Sequence, residues 1–270
     1  MLNQSNTLSR LLLIIIPALI TVLLISSCAK NLTGRKQLML MSESSAINAS
    51  KQAYSKTLEP FEKDGKLDSD PKQVERINHI TNKLIKQASL MRADTKDWQW
   101  SIKIIDDPEM INAWCMAGGK MAIYTGLINK LNATDDEIAQ VMGHEISHAL
   151  ANHSAERMSI ALANTLGLAL LQKQTDASGE AIALTAVAAQ LALTLPNSRA
   201  SESEADRIGI ELAAKAGFNP NAAVSLWQKM AKAGGKGGPT FLSTHPAPDD
   251  REQALKRLIP EMMPYYQAAL

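Results

Sequence analysis

Apolar and polar residues recur with two different periods along the chain, and each period predicts a different element. Apolar residues at helical spacing predict a helix over about 71–90. Its apolar positions are Val74, Ile77, Ile80, Leu84 and Ile85. Residues 98–104 alternate apolar and polar positions, which is typical of a half-buried strand. The short segments 113–116 and 120–124 flank an Ala-Gly-Gly turn and predict a hairpin.

The other helices are predicted from caps and breakers. A weakly amphipathic helix is expected over about 44–60, ending at its proline. The capping box at 134–137 precedes an apolar-periodic run and predicts a core-facing helix. Further helices are predicted over about 198–216 and 249–258. The fold class is therefore α+β, mostly helical with a small β-sheet.

Residues 158–195 are markedly apolar, in two runs around a polar stretch at 172–180. Each run is too short to span a bilayer comfortably. A helical hairpin packed on the core is the favoured interpretation. The alternative is a hairpin that dips into the membrane surface or gates the active site.

The N-terminus has the pattern of a targeting sequence. An apolar run follows Arg10 and ends in Ile-Ser-Ser just before Cys28. Small residues before a cysteine resemble a bacterial lipobox, which implies cleavage before Cys28 and lipidation of that residue. Acyl chains would attach the protein to a membrane through Cys28. An uncleaved signal anchor and a plain secretory signal with an incidental cysteine are the alternatives.

This interpretation sets the predicted domains and localisation. Residues 1–27 are a signal peptide of the lipoprotein type, 28–45 a lipidated tether, and 46–270 the folded domain. Because no aspartate follows the cysteine, the predicted localisation is the periplasmic side of the bacterial outer membrane. Cys115 is then the one remaining thiol, and it is expected to be a buried small hydrophobe, with a mixed disulfide to another chain as the minor alternative.

The charge balance excludes one class of partner. The formal net charge is +1, and no basic stripe with interleaved aromatic residues occurs. Bulk electrostatics therefore indicate no nucleic-acid partner.

The chemistry is concentrated in the string His144-Glu145-Ile146-Ser147-His148. Residues four apart on a helix share a face, so His144 and His148 can point at one metal ion. Glu145 is then close enough to polarise a water on that ion. This is the H-E-x-x-H arrangement of a zinc hydrolase, usually a protease.

A catalytic zinc needs a third protein ligand, and the predicted helix over 198–216 offers one. Glu202 and Asp206 share a face of it, so one can ligate zinc while the other orients a ligand imidazole. Glu204 faces elsewhere and is expected to be solvated. His153, near the end of the H-E-x-x-H helix, is expected to be structural or on the surface.

These motifs together resemble one family, the M48 zinc metallopeptidases, in a periplasmic lipoprotein form. The resemblance rests on the H-E-x-x-H string, on Ser-Arg-x-x-Glu-x-Glu-Ala-Asp at 198–206, and on His-Pro-x-x-x-x-Arg at 245–251. It covers roughly 70–260. The chain departs from the family at Trp114, where phenylalanine is frequent, and it lacks the clear membrane spans of the integral-membrane members.

The resemblance implies a zincin-type metalloprotease domain with its small sheet beside the H-E-x-x-H helix. It implies one Zn²⁺ per chain, held by His144, His148 and Glu202. Glu145 would be the general base, and Asp206 would hold a ligand histidine in place.

The resemblance also gives His245 a role among the catalytic residues. In soluble relatives a histidine in this His-Pro context can occupy the open zinc position and keep the enzyme latent. The alternative is that His245 orients the transition-state oxyanion or simply packs. Arg251 is expected to pair with a carboxylate, and the segment 112–124 to offer a strand edge to an extended substrate.

The predicted function is a zinc endopeptidase acting on misfolded or misassembled cell-envelope proteins. Its predicted partners are polypeptide substrates of the envelope, with the outer-membrane protein assembly machinery as a further one. The alternative is an assembly factor or chaperone for outer-membrane proteins in which proteolysis is rare and regulated. A structural lipoprotein with an incidental motif is the third hypothesis, which three ordered motifs disfavour.

Overall fold

The computed structural model describes residues 28–174, 198–233, 240–246 and 250–270. Within these ranges the chain is mostly helical with small sheets, so the predicted α+β class is confirmed. The strands are β1 Cys28–Lys30, β2 Lys36–Leu38, β3 Ser101–Ile105, β4 Ala113–Met116 and β5 Lys120–Tyr124. The helices are α1 Glu43–Lys63, α2 Pro71–Met91, α3 Thr125–Asn129, α4 Asp135–Leu150, α5 His153–Gln174, α6 Arg199–Lys215, α7 Ala222–Ala233, α8 Thr240–Thr244 and α9 Arg251–Ala269, with a 3₁₀ turn at Ala93–Asp97.

The larger sheet of the described residues has the strand order β3-β5-β4. β3 runs parallel to β5, and β4 runs antiparallel to it. The hairpin turns at Gly118 and Gly119, whose φ angles of 79° and 77° suit glycine and few other residues. The predicted hairpin is confirmed, and its edge strand β4 lies next to α4.

Helix α4 is the centre of the fold. The hydroxyl of Thr134 accepts a hydrogen bond from the backbone N–H of Glu137 (3.2 Å), and the Glu137 carboxylate accepts one from the backbone N–H of Thr134 (2.9 Å). The predicted capping box is therefore present and satisfies two N–H groups that a helix start leaves unpaired. Every residue of α4 from Glu137 to Leu150 is buried, because α2, α6, α7 and β4 pack around it.

A pair of glycines lets α4 and α6 approach closely. A Cβ on Gly209 would come within 2.8 Å of the Cα of His144. A Cβ on Gly143 would come within 2.9 Å of the carbonyl oxygen of Gly209. Any side chain at either position would push the helices apart, so the two glycines bring the acidic residues of α6 up to the histidines of α4.

Two predicted helices are longer than expected. α1 continues past Pro60 to Lys63, because a proline in the last turn disrupts few of the helix's hydrogen bonds. α9 continues from 258 to Ala269 through two prolines. Its buried Leu255 and Met262 pack with residues of α6 and α7, and this burial outweighs the helix-breaking tendency of proline.

Part of the predicted tether is structured. β1 pairs antiparallel with β2, and α1 begins at Glu43. Within the described ranges, no helix has the length and apolar character needed to cross a bilayer. The predicted signal peptide at 1–27 and the whole of the second apolar run, at 181–195, lie outside the described residues. The first run falls within α5.

Candidate metal centre

Three elements bring four ligand-type side chains to one point. α4 carries His144 and His148, α6 carries Glu202, and His245 follows α8 directly. One nitrogen or oxygen from each side chain lies within 4.8 Å of the others, and all four residues are buried. The structure therefore brings together His144, His148 and Glu202, the three residues predicted as ligands, and adds His245 to them.

The distances inside the cluster identify the atoms that converge. The Nε2 atoms of His144 and His148 are 3.1 Å apart. The Glu202 carboxylate lies 3.3 Å from each of them, through Oε2 to His144 and Oε1 to His148. Spacing four residues apart on α4 puts both rings on one face, and Glu202 closes the third side.

Asp206 and Arg251 support the His144 side of the cluster. Nδ1 of His144 is 3.0 Å from Oδ1 of Asp206, and Arg251 donates to the same oxygen at 2.5 Å. Arg251 also donates to Oε2 of Glu202 at 3.3 Å and lies 3.6 Å over the ring of Trp227. Asp206 thus stands where the sequence predicts a partner of a ligand histidine, and Arg251 pairs with two carboxylates.

The His148 side is built from residues that the sequence analysis placed elsewhere. Nδ1 of His148 lies 2.8 Å from Nδ1 of His153, and Nε2 of His153 lies 3.1 Å from Oε2 of Glu204. His153 is 1% exposed and Glu204 8% exposed. The prediction that Glu204 is solvated is wrong, because the loop between β1 and β2 covers that face of α6. His153 is buried, so the prediction of a surface residue is wrong and that of a structural residue is confirmed. A second histidine five residues after His148 was the available sequence signal.

Glu145 is buried beside the cluster. Its Oε1 has no hydrogen-bond partner among the described residues and lies 3.4 Å from Nε2 of His245. Burial raises the pKa of Glu145, against the opposing influence of His245 and His144. The backbone N–H of Cys115 on β4 also donates to Glu145, so the acid lies next to the strand edge.

His245 stands among the ligand atoms. Its Nδ1 is 3.1 Å from Oε1 of Glu202 and 3.3 Å from Nε2 of His144. Its ring stacks on Phe241 with centroids 4.4 Å apart and planes at 15°. Phe241 is itself fully buried, so α8 holds the imidazole in the cluster rather than on the surface.

The electrostatics of the cluster favour an anionic Glu202. Burial raises the pKa of Glu202, but hydrogen bonds with His144, His148 and His245 outweigh it and hold that pKa far below its usual range. Burial lowers the pKa of His144, yet Asp206 and Glu202 together raise it to about 9. Burial dominates at His148 and lowers its pKa well below the usual value.

The donor set fits a catalytic metal ion. Two imidazole nitrogens and one carboxylate are a common protein ligand set at catalytic metal sites, and the ligands are held by further hydrogen bonds. The buried Oε1 of Glu145 faces the cluster with no hydrogen-bond partner among the described residues, as an acid that handles a water would. The thiol of Cys115 is buried, which raises its pKa well above the usual value and agrees with the predicted small hydrophobe.

Comparisons with known proteins support the same interpretation. The family described as Peptidase family M48 matches residues 71–259. The chain is 32% identical over 243 residues to "Metalloendopeptidase OMA1, mitochondrial" of Bos taurus, covering 86% of this chain and 46% of that protein. It is 37% identical over 156 residues to "Mitochondrial metalloendopeptidase OMA1" of Arabidopsis thaliana, covering 58% and 31%. It is 29% identical over 210 residues to "Beta-barrel assembly-enhancing protease" of Yersinia pestis, covering 74% and 42%. The chain therefore spans less than half the length of these curated relatives.

These relatives correct the predicted localisation. Several proteins at 31–37% identity are named as mitochondrial. The localisation predicted from the N-terminal sequence, the periplasmic side of the bacterial outer membrane, is therefore wrong. The physical reason is that an apolar run with a charged start is shared by several classes of targeting sequence.

Proposed function

The chain belongs to peptidase family M48, and from that membership we propose that it is a zinc-dependent endopeptidase with Glu145 as its general base. The predicted class of peptide-bond hydrolase is confirmed at the level of the family. One observation carries the proposal: His144, His148 and Glu202 converge within 4.8 Å beside a buried acid. Zinc is the metal that this ligand set and the H-E-x-x-H string favour.

The residues around the cluster have distinct proposed roles in hydrolysis. When bound, zinc would polarise the peptide carbonyl and make a water acidic enough to attack it near neutral pH. Glu145 takes the proton of that water, because its carboxylate lies beside the ligand atoms and its pKa is raised by burial. The same carboxyl group then delivers the proton to the leaving amine. Asp206 holds His144 in its ligating orientation through the 3.0 Å contact with Nδ1.

The edge strand β4 is the proposed binding place of the substrate backbone. β4 pairs with β5 on one side and forms an edge of the described sheet. An extended peptide can add to such an edge through main-chain hydrogen bonds. Because the backbone of Cys115 on β4 contacts Glu145, a peptide along this edge would place a scissile bond next to the general base.

His245 is proposed to hold the enzyme latent. Its Nδ1 lies among the ligand atoms, 3.1 Å from Glu202, where an attacking water would need access. That position favours latency over the alternative of orienting an oxyanion. His245→Ala should then raise peptide cleavage, and equal or lower activity would favour the alternative.

The proposed substrates are misfolded or misassembled cell-envelope proteins. Two relatives support this proposal, because both have "beta-barrel assembly-enhancing protease" in their names. The same two names also support the alternative, an assembly factor in which proteolysis is rare and regulated. A Glu145→Gln variant that loses cleavage yet sustains assembly of a β-barrel protein would favour that alternative.

We also propose three parts for the chain: a signal peptide at 1–27, a lipidated tether at 28–45 and the peptidase domain at 46–270. Lipidated Cys28 would attach the protein to a membrane. The mass of the N-terminal peptide of the mature protein tests both, because cleavage before Cys28 and acylation each change it by a defined amount.

The proposed chemistry is tested by removing the base and the metal separately. Glu145→Gln should abolish casein cleavage while one zinc per chain is retained, since the variant keeps all three ligands. A chelator should abolish cleavage by the wild type, and added zinc should restore it. Glu75→Gln, an exposed position on α2, is the matched control and should cleave normally. Cleavage that persists after complete removal of metal would refute the proposal.

A further inference from the structure

The two histidines of α4 use their outward-facing nitrogens differently. Nδ1 of His144 meets the carboxylate of Asp206 directly. Nδ1 of His148 instead meets Nδ1 of His153, and the carboxylate of Glu204 stands one imidazole further away. A ligand histidine commonly donates this N–H to a carboxylate, a carbonyl or a water, so the inserted imidazole needs an explanation.

The hydrogen bonds determine which nitrogen carries each proton. Ionised Glu204 can accept but not donate, so the proton of a neutral His153 lies on Nε2. Nδ1 of His153 is then an acceptor, and the 2.8 Å contact requires that His148 donates from its own Nδ1. A neutral His148 protonated at Nδ1 has its lone pair at Nε2, which is the atom that faces His144 and Glu202.

Glu204 is fixed by residues from the other end of the chain. Its Oε2 accepts from Arg35 Nε at 2.7 Å as well as from His153. Its Oε1 accepts from the hydroxyl of Thr33 and the amide of Asn31. Arg35 is held in turn by a bidentate pair with Glu156 at 2.6 and 2.8 Å.

We propose that His153 is a positioning residue for the metal ligand His148, and that Glu204, clamped by the β1–β2 loop, fixes the orientation and tautomer of His153. The inference rests on the proposed metal site and adds a support that reaches from the N-terminal hairpin to the ion. Its consequence is that zinc affinity depends on a hydrogen-bond acceptor at position 153, not simply on a filled volume.

Zinc affinity of the purified full chain tests this, measured by competition with a chromophoric chelator. His153→Phe keeps a ring but removes the acceptor, and it should weaken zinc binding about 10–100-fold. His153→Asn places an amide oxygen near the position of Nδ1, and it should bind zinc within about 5-fold of the wild type, on the scale of such second-shell effects. His79→Phe, at an exposed histidine of α2, should leave the affinity unchanged.

The outcomes separate the inference from the proposed function. A wild type that binds no zinc refutes the metal site itself. A wild type that binds zinc, together with a His153→Phe variant that binds equally well, overturns the inference alone. Equal weakening in His153→Phe and His153→Asn also overturns it, because packing would then explain the loss.

Glu204→Gln keeps the test decisive if the His153 variants do not fold. It preserves size but removes the charge that holds the proton on Nε2 of His153. We expect zinc binding about 10-fold weaker, as for other outer-shell changes, with thermal unfolding in chelator still cooperative. Glu211→Gln on the same helix is the control. Unchanged affinity in Glu204→Gln would overturn the role of the β1–β2 loop.

Discussion

His144 and His148 occupy equivalent positions on one buried helix, yet their surroundings differ. The His144 side has a direct carboxylate, Asp206, and a buried cation, Arg251, from α9. The His148 side has a second imidazole, His153, and reaches its carboxylate through it. The pKa of His144 is raised to about 9, because Asp206 and Glu202 outweigh burial, whereas burial lowers the pKa of His148. Helix spacing thus sets which rings meet in the cluster, while the neighbours of each ring set its pKa.

The largest effect should come from removing the cation on the His144 side. Arg251→Met leaves the buried carboxylates of Glu202 and Asp206 without that cation, so unfolding free energy of the metal-free protein should fall by about 3–5 kcal/mol. Added zinc should recover part of the loss, because the ion supplies positive charge. Urea unfolding with chelator and with zinc measures both.

Arg207→Met is the matched control for Arg251→Met. Arg207 lies on α6, is half exposed and pairs with Glu261 at 3.1 Å. An exposed pair contributes about 1 kcal/mol or less. Equal losses in the two variants would show that the buried cation does not distinguish the His144 side.

The His148 side should be the acid-sensitive one. Burial raises the pKa of Glu204, but hydrogen bonds from His153, Thr33 and Arg35 outweigh it and lower the pKa from 4.5 to about 2. A depressed carboxyl pKa stabilises the fold above the unfolded value and loses that contribution as pH falls through the folded value. We therefore expect about 2–3 kcal/mol to disappear between about pH 4.5 and pH 2. The difference in unfolding free energy between wild type and Glu204→Gln, measured across this window, should shrink accordingly; parallel pH profiles would contradict it.

Neutralising Asp206 or Glu204 should lower zinc affinity, and the loss should be larger for Asp206, which contacts its ligand histidine directly. Asp206→Asn acts on His144 directly and should weaken zinc binding by about 10–100-fold, or about 1.4–2.7 kcal/mol. Glu204→Gln acts through His153 and should cost less. Competition with a chelator measures both constants under the same conditions. If Glu204→Gln lowers zinc affinity more than Asp206→Asn does, the contact through His153 supports zinc binding more strongly than the direct contact of Asp206 with His144. The comparison is then reversed.

The smallest effect should come from the outermost member of the His148 side. Arg35 is 28% exposed, so solvent screens its pairs with Glu156 and Glu204. Arg35→Gln should lower unfolding free energy by about 1 kcal/mol and zinc affinity by a few-fold. Arg76→Gln, an exposed pair with Asp135, is the control for stability and should leave zinc binding unchanged. If Arg35→Gln binds zinc as tightly as the control variant, the β1–β2 loop does not contribute to zinc affinity.

Local pattern was enough to predict much of the fold. The helix over 71–90, the β4–β5 hairpin and the capped α4 all follow from periodicity, turn glycines and caps. The extension of α9 through Pro260 and Pro264 could not be predicted in this way. Proline disfavours a continuing helix, whereas burial of Met262 stabilises it. Prediction failed where packing against distant segments outweighed the local preference of the chain.

By itself the sequence determined which side chains share a helix face. Residues four apart must lie together on α4 and on α6, so His144 with His148, and Glu202 with Asp206, follow from helix geometry. Tertiary structure alone decided that Glu204 is buried, because the residue that covers it, Arg35, is 169 positions away in sequence. It also decided that Glu204 reaches His153 and that Arg251 reaches Glu202 and Asp206. Helix periodicity is a local property, whereas burial and charge depend on what packs against each face.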